Sequence, residues 1–117
     1  MILSNIFKYI SIERKNKYGD TALIEASIYG DINIIKILLK NNANIDATNN
    51  NGDTTLILAS FHGHNEIVKI LLESGVNINA KNNNGDTALI FASRNGRTNI
   101  IICMFNLKVN KYCNDVK

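Results

Sequence analysis

His62 and His64 stand one residue apart, and a His-x-His pair is a motif from which a transition-metal site can begin. Such a site needs three or four converging donors, and no cysteine or carboxylate cluster at ligand spacing accompanies the pair. Asp20, Asp53 and Asp86 form a row of carboxylates, but they recur at one fixed spacing beside the start of an apolar stretch. There a negative charge is favoured by the orphan amides of a helix N-terminus, with no catalytic role implied. Ser27, Ser60 and Ser93 would need a general base to act as nucleophiles, and no base repeats near them. Asn50-Asn51-Gly52 and Asn83-Asn84-Gly85 lack the Gly-x-x-x-x-Gly-Lys pattern that cradles phosphate. Cys103 and Cys113 are too few for the disulfide framework of a small secreted domain and read as reduced thiols. The residue types that could do chemistry thus predict no catalytic residue, no cofactor and no metal.

Composition narrows the classes further. A chain of 117 residues supports one hydrophobic core rather than two. An apolar fraction of 45% with 20% charged residues matches an ordinary globular protein, not a disordered one. The net charge of +3 is small, and basic and acidic residues are interleaved, so neither a nucleic-acid arm nor a membrane-surface patch is expected. Apolar runs such as Ile100 to Phe105 fall far short of the ~20 residues a bilayer span requires. The apolar opening from Met1 to Ile10 has neither a basic leader nor a small-residue cleavage site, which predicts an intracellular, cytoplasmic protein.

The elements that position these residues are legible from self-comparison. Gly19, Gly52 and Gly85 lie 33 residues apart. The nonapeptide Gly-Asp-Thr-Ala-Leu-Ile-Glu-Ala-Ser at 19–27 returns at 52–60 and 85–93, identical in all three copies except at its fourth and seventh columns. The units are then 16–48, 49–81 and 82–114, with an N-terminal remnant at 1–15, all within one domain. In each unit Thr21, Thr54 or Thr87 precedes an apolar-periodic stretch and is placed to cap a first helix. Gly30, Gly63 and Gly96 mark its end. Ile34, Ile35, Leu38 and Leu39, repeated as Ile67, Val68, Leu71 and Leu72, give the stripe of a second helix, closed by Asn42 or Gly75. Asn-Gly then signals a hairpin turn.

A turn plus two antiparallel helices every 33 residues resembles the ankyrin repeat over residues 12–114, with Gly63-His64-Asn65-Glu66-Ile67-Val68-Lys69-Ile70-Leu71-Leu72 as its clearest stretch. The resemblance implies an all-α solenoid of stacked helix-turn-helix units with hairpin loops. Ala22, Thr55 and Ala88 replace the proline of the family's Thr-Pro-Leu-His motif, and Ile24, Ile57 and Ile90 replace its histidine. The second change predicts the loss of a polar link between units. Ile2, Leu3, Ile6, Phe7 and Ile10 lie at helical spacing in the register of a second helix, so 1–15 reads as a capping half-repeat. The last unit degenerates, with Lys108 for Gly75 and Lys111 for Ile78.

The resemblance also implies a function, the binding of a partner protein, which makes the chain a scaffold or adaptor and not an enzyme. In ankyrin proteins the hairpin tips and the exposed side of the first helix form a concave contact surface. The matching tip positions are Lys17, Tyr18, Asp20, Asn50, Asn51, Asp53, Asn83, Asn84 and Asp86, with Thr48 and Lys81 on the hairpin flank. The helix positions are Ile28, Tyr29, Phe61, His62, Arg94 and Asn95. Their columns vary between units, as contact columns should, and aromatic and arginine side chains dominate interface energies. An alternative rests on the last unit. Ile102 falls in the column of Lys36 and Lys69, so it is expected to reach solvent and, with Met104 and Phe105, to form an apolar patch for self-association.

Overall fold

The computed structural model describes residues 2–106, with side chains from Ser4 onward; Lys108, Lys111, Cys113 and the end of the third unit lie outside the described residues. The described part is all helical: α1 (Ile2–Glu13), α2 (Ala22–Tyr29), α3 (Ile32–Lys40), α4 (Thr55–His62), α5 (Asn65–Glu73), α6 (Ala88–Arg94) and α7 (Thr98–Phe105). First helices pack in one row, α2 on α4 on α6, and second helices in another, α3 on α5 on α7. Each unit therefore touches its neighbours and little else, the arrangement of a solenoid.

Local chemistry sets the boundaries. Thr21, Thr54 and Thr87 sit in extended backbone, and each side chain accepts a hydrogen bond from the amide of Ile24, Ile57 or Ile90. Without proline, the first helical turn keeps an extra donor, and Thr55 uses its hydroxyl to reach the carbonyl of Ile45 at 3.2 Å. Helices α2 and α4 end at Gly30 and Gly63 in the left-handed region. Helix α6 departs from this expectation, ending one residue earlier on Asn95, with Gly96 following at φ 66°. Asn42 and Gly75 take positive φ just beyond the ends of α3 and α5.

The core runs along the interior of the two rows. Leu23, Ile35, Leu56, Ile67, Val68, Leu71 and Ile100 are all buried. Ile24 and Ile57, which stand where the family motif has histidine, are fully buried as well, whereas Ile90 in the same column is exposed. The following unit covers the first two. Each such isoleucine contributes roughly 1.5–3 kcal/mol of burial, so apolar stacking has replaced the histidine link. A polar link nevertheless persists elsewhere. His64 Nε2 lies 2.9 Å from the carbonyl oxygen of Ile28, and Arg97 Nη2 donates to that of Phe61 at 3.0 Å. These residues share one column, and each ties a unit to the end of the preceding first helix. The approach is close enough that a Cβ on Gly30 would lie 2.7 Å from His64 Cε1.

Both ends correct the expectations. The N-terminal segment is a helix, but it does not keep the second-helix register to its end. Tyr9 stands in the column of Asn42 and Gly75, cannot take a left-handed cap without strain, and the helix runs on to Glu13. Ile6, Phe7 and Ile10 stay exposed. At the other end Ile102 is half-buried rather than open, as is Lys69 in the same column, although Lys36 in that column is exposed. Met104 is buried and joins the core cluster in the column of Leu71. Only Phe105, 73% exposed, is left of the expected three-residue patch.

Candidate protein-binding site

The hairpins are organised by an asparagine in each unit. Asn49 Oδ1 accepts from the amides of Asn51 and Asp53, and Asn82 Oδ1 does the same for Asn84 and Asp86, as Asn16 does for Tyr18 and Asp20. The same side chains link units through their amide nitrogens. Asn49 Nδ2 donates to Asp20 Oδ1 at 3.0 Å, and Asn82 Nδ2 to Asp53 Oδ1 at 2.9 Å. Backbone bonds from Asn50 to Tyr18 and from Asn83 to Asn51 continue the row.

This network gives Asp20 a structural role, against the expectation of an open tip residue: it is only 8% exposed, held beneath the hairpin by Asn49. Asp53 and Asp86 are half-buried at the base of the tips. Asn50 and Asn83 are exposed but spend their amide groups on the carbonyls of Lys17 and Asn50. Lys17, Tyr18, Asn51, Asn84, Thr48 and Lys81 are exposed along the hairpins, with Lys17 Nζ 5.1 Å from the Tyr18 ring centroid and the carbonyl of Thr48 accepting from Lys15. On the helices Tyr29, Phe61, His62, Arg94 and Asn95 are exposed and Ile28 is half-buried.

Among these the structure gathers one cluster. The Phe61 and Phe91 rings meet edge to face, centroids 5.5 Å apart and planes at 78°. His62 packs against Phe61 at 5.0 Å. With Asp53, Ile57 and Leu58 they line a depression of about 170 Å³ on the open side of α4 and α6. Arg94 lies with its guanidinium carbon 5.3 Å from the Phe91 centroid and Nη2 3.6 Å from Asp86 Oδ1. Leu58 and Phe91 were not among the sequence candidates. The signal was present, since with Glu25 they occupy the seventh column of the nonapeptide, which differs in every copy. Tyr18 and Tyr29, by contrast, have no aromatic partner among the described residues.

The His62 and His64 rings stack at 5.9 Å, and among the described residues no group of three or more His, Cys, Asp or Glu side chains converges. Burial first, then the neighbouring His64 and Arg97, push the His62 imidazole below its ordinary value of 6.5, so it is neutral at pH 7. His64 Nε2 must carry a hydrogen to donate to the Ile28 carbonyl. Among the described residues no helix is long and apolar enough to cross a membrane.

Comparison with curated proteins found no match. A family model of ankyrin repeats in three copies matches residues 2–82 and, overlapping it, residues 43–115. With three capped helix pairs stacked in two rows and hairpins linked unit to unit, the chain belongs to the ankyrin repeat family.

Proposed function

We propose that the chain binds a partner protein through the hairpin tips and the open side of α2, α4 and α6, with the Phe61–Phe91 corner at the centre of the contact. Ankyrin repeats are generally protein–protein interaction modules and are typically not enzymes, which supports this class of activity. The observation that supports this surface is the pairing of two phenylalanine rings from α4 and α6 at a depression, beside an arginine. Aromatic and arginine side chains grouped around a pocket are what interface hot spots are made of. The repeated core holds them rigidly, so little ordering is lost on association.

The test is affinity capture with the whole chain, its Phe61→Ala variant, and Ile10→Ala, which alters an exposed apolar residue of α1. A partner retained by the native chain and by Ile10→Ala, and lost with Phe61→Ala, supports the surface. Equal capture by all three rules it out. Self-association through Phe105 is the second reading, favoured by the 73% exposure of that ring. A sedimentation coefficient that rises with concentration, and ceases to do so in Phe105→Ser, is its expected signature.

A further inference from the structure

The last unit shows how this surface accommodates a cation. Arg94 there lies against Phe91 and pairs with Asp86. One period earlier the carboxylate is kept as Asp53, but Phe61 stands in the column of Arg94 and Leu58 in that of Phe91. Asp53 accordingly has no ion-pair partner among the described residues, and its Oδ1 accepts only from the neutral Asn82 amide. The same carboxylate lines the depression, next to the Phe61 ring, which is 42% exposed. A negative group, an open aromatic ring and the apolar Leu58 thus bound a space that no lysine or arginine of the described residues lines. Glu25, in the Leu58 column of the preceding unit, adds a second negative charge on the same side.

We propose that this corner receives an arginine side chain from the partner, its guanidinium paired with Asp53 and laid against Phe61, its methylenes on Leu58. The inference rests on the open side of α4 and α6 being the docking surface. The chemistry favours a planar cation on three counts. A guanidinium offers several coplanar donors to a carboxylate, stacks on an aromatic ring, and tolerates partial desolvation better than an ammonium. The depression of about 170 Å³ admits one long side chain and not a helix.

The experiment is amide chemical-shift titration of the isotopically labelled whole chain with three blocked amino acids: N-acetyl-arginine methylamide, the citrulline analogue, and the leucine analogue. Citrulline keeps the shape of arginine and removes its charge. The arginine probe should produce saturable shifts confined to Asp53, Leu58, Phe61 and Phe91, with at least tenfold weaker binding of citrulline. Asp53→Asn should abolish the preference of arginine over citrulline. Its oxygen can still accept from Asn82, so unchanged amide positions at Asn82–Asp86 will show the hairpin intact. Asp31→Asn, at an exposed carboxylate capping α3, should leave the preference as it was. Indistinguishable arginine and citrulline binding, stronger leucine binding, shifts elsewhere, or a preference surviving Asp53→Asn would each overturn the assignment. If the arginine probe fails while Phe61→Ala still abolishes partner capture, the docking surface stands and the arginine pocket alone is wrong.

Discussion

Helices α5 and α1 are built from comparable apolar residues and are buried very differently. In α5, Ile67, Val68 and Leu71 are all within 1% of complete burial. In α1, Phe7 is 66% and Ile10 56% exposed. The difference is the number of neighbours. Helix α5 lies between α3 and α7 and against α4, whereas α1 rests chiefly on α2. The same contrast appears within a single column: Ile67 and Ile100 are buried, but Ile34, which only α1 could cover, is 43% exposed. In this chain burial belongs to a position in the stack rather than to a residue type, because each unit completes the core of the next.

The largest test of that contrast is Leu71→Ala against Ile10→Ala. Removing the buried side chain leaves a cavity in the middle unit and should cost about 3 kcal/mol in urea unfolding, while the exposed one should cost less than about 0.5 kcal/mol. Comparable losses would mean that α1 is as well anchored as α5. Smaller in size is the comparison of Gly63→Ala with Gly75→Ala. Both have positive φ, but a Cβ at Gly63 would meet Arg97 Cζ at 2.8 Å and one at Gly75 nothing within 4 Å. The first should cost about 2 kcal/mol and the second about 1, the backbone share alone. Equal values would show that Arg97 swings away freely. Thr54→Ala should follow at about 1 kcal/mol, the loss of the cap on Ile57. A loss of only a few tenths would mean that the neighbours on both sides hold α4 without it.

The smallest expected effect is a drift with pH. The folded chain holds a proton on His62 less readily than the unfolded chain does, chiefly because of burial. Stability from this source is therefore complete above pH 6.5 and declines as pH falls below it, towards the depressed folded value. The ring is largely open to water, so the drift is small. His62→Asn, which installs the residue of the same column in the last unit, should flatten the stability profile between pH 7 and 5 relative to the native chain. An unchanged profile would place the ring in full solvent.

The repeat made most of this architecture legible. Thr21, Thr54 and Thr87 were readable as caps because a hydroxyl before an apolar stripe has one dominant local use, and that use depends on only a few neighbouring residues. What escaped notice depends on contacts across units. Asn49 and Asn82 are polar loop residues by sequence, and only the stacking of hairpins brings their amides to Asp20 and Asp53. By sequence alone Asp20 is indistinguishable from an open tip residue for that reason. Leu58 and Phe91 look like part of the helix stripe, and the 3.6-residue period does not say which side of a short first helix remains uncovered. Tyr9, Ile34 and Ile90 mark a further limit. The column of a residue predicts its surroundings only where the units on both sides are present.

The hairpin asparagines have a consequence for the length of the array. At each of the two joints an asparagine donates back to the aspartate of the preceding unit, so Asn49 meets Asp20 as Asn82 meets Asp53. His64 and Arg97 likewise reach back to the same carbonyl position. The coupling has a direction, like plug and socket, and the two hairpin joints have the same chemistry. Excising 49–81 would set Asn82 against Asp20 and Arg97 against the carbonyl of Ile28, leaving no hairpin donor or acceptor newly stranded. A gene encoding such a chain is free to gain or lose whole units by duplication and deletion, each product arriving with its joints already matched.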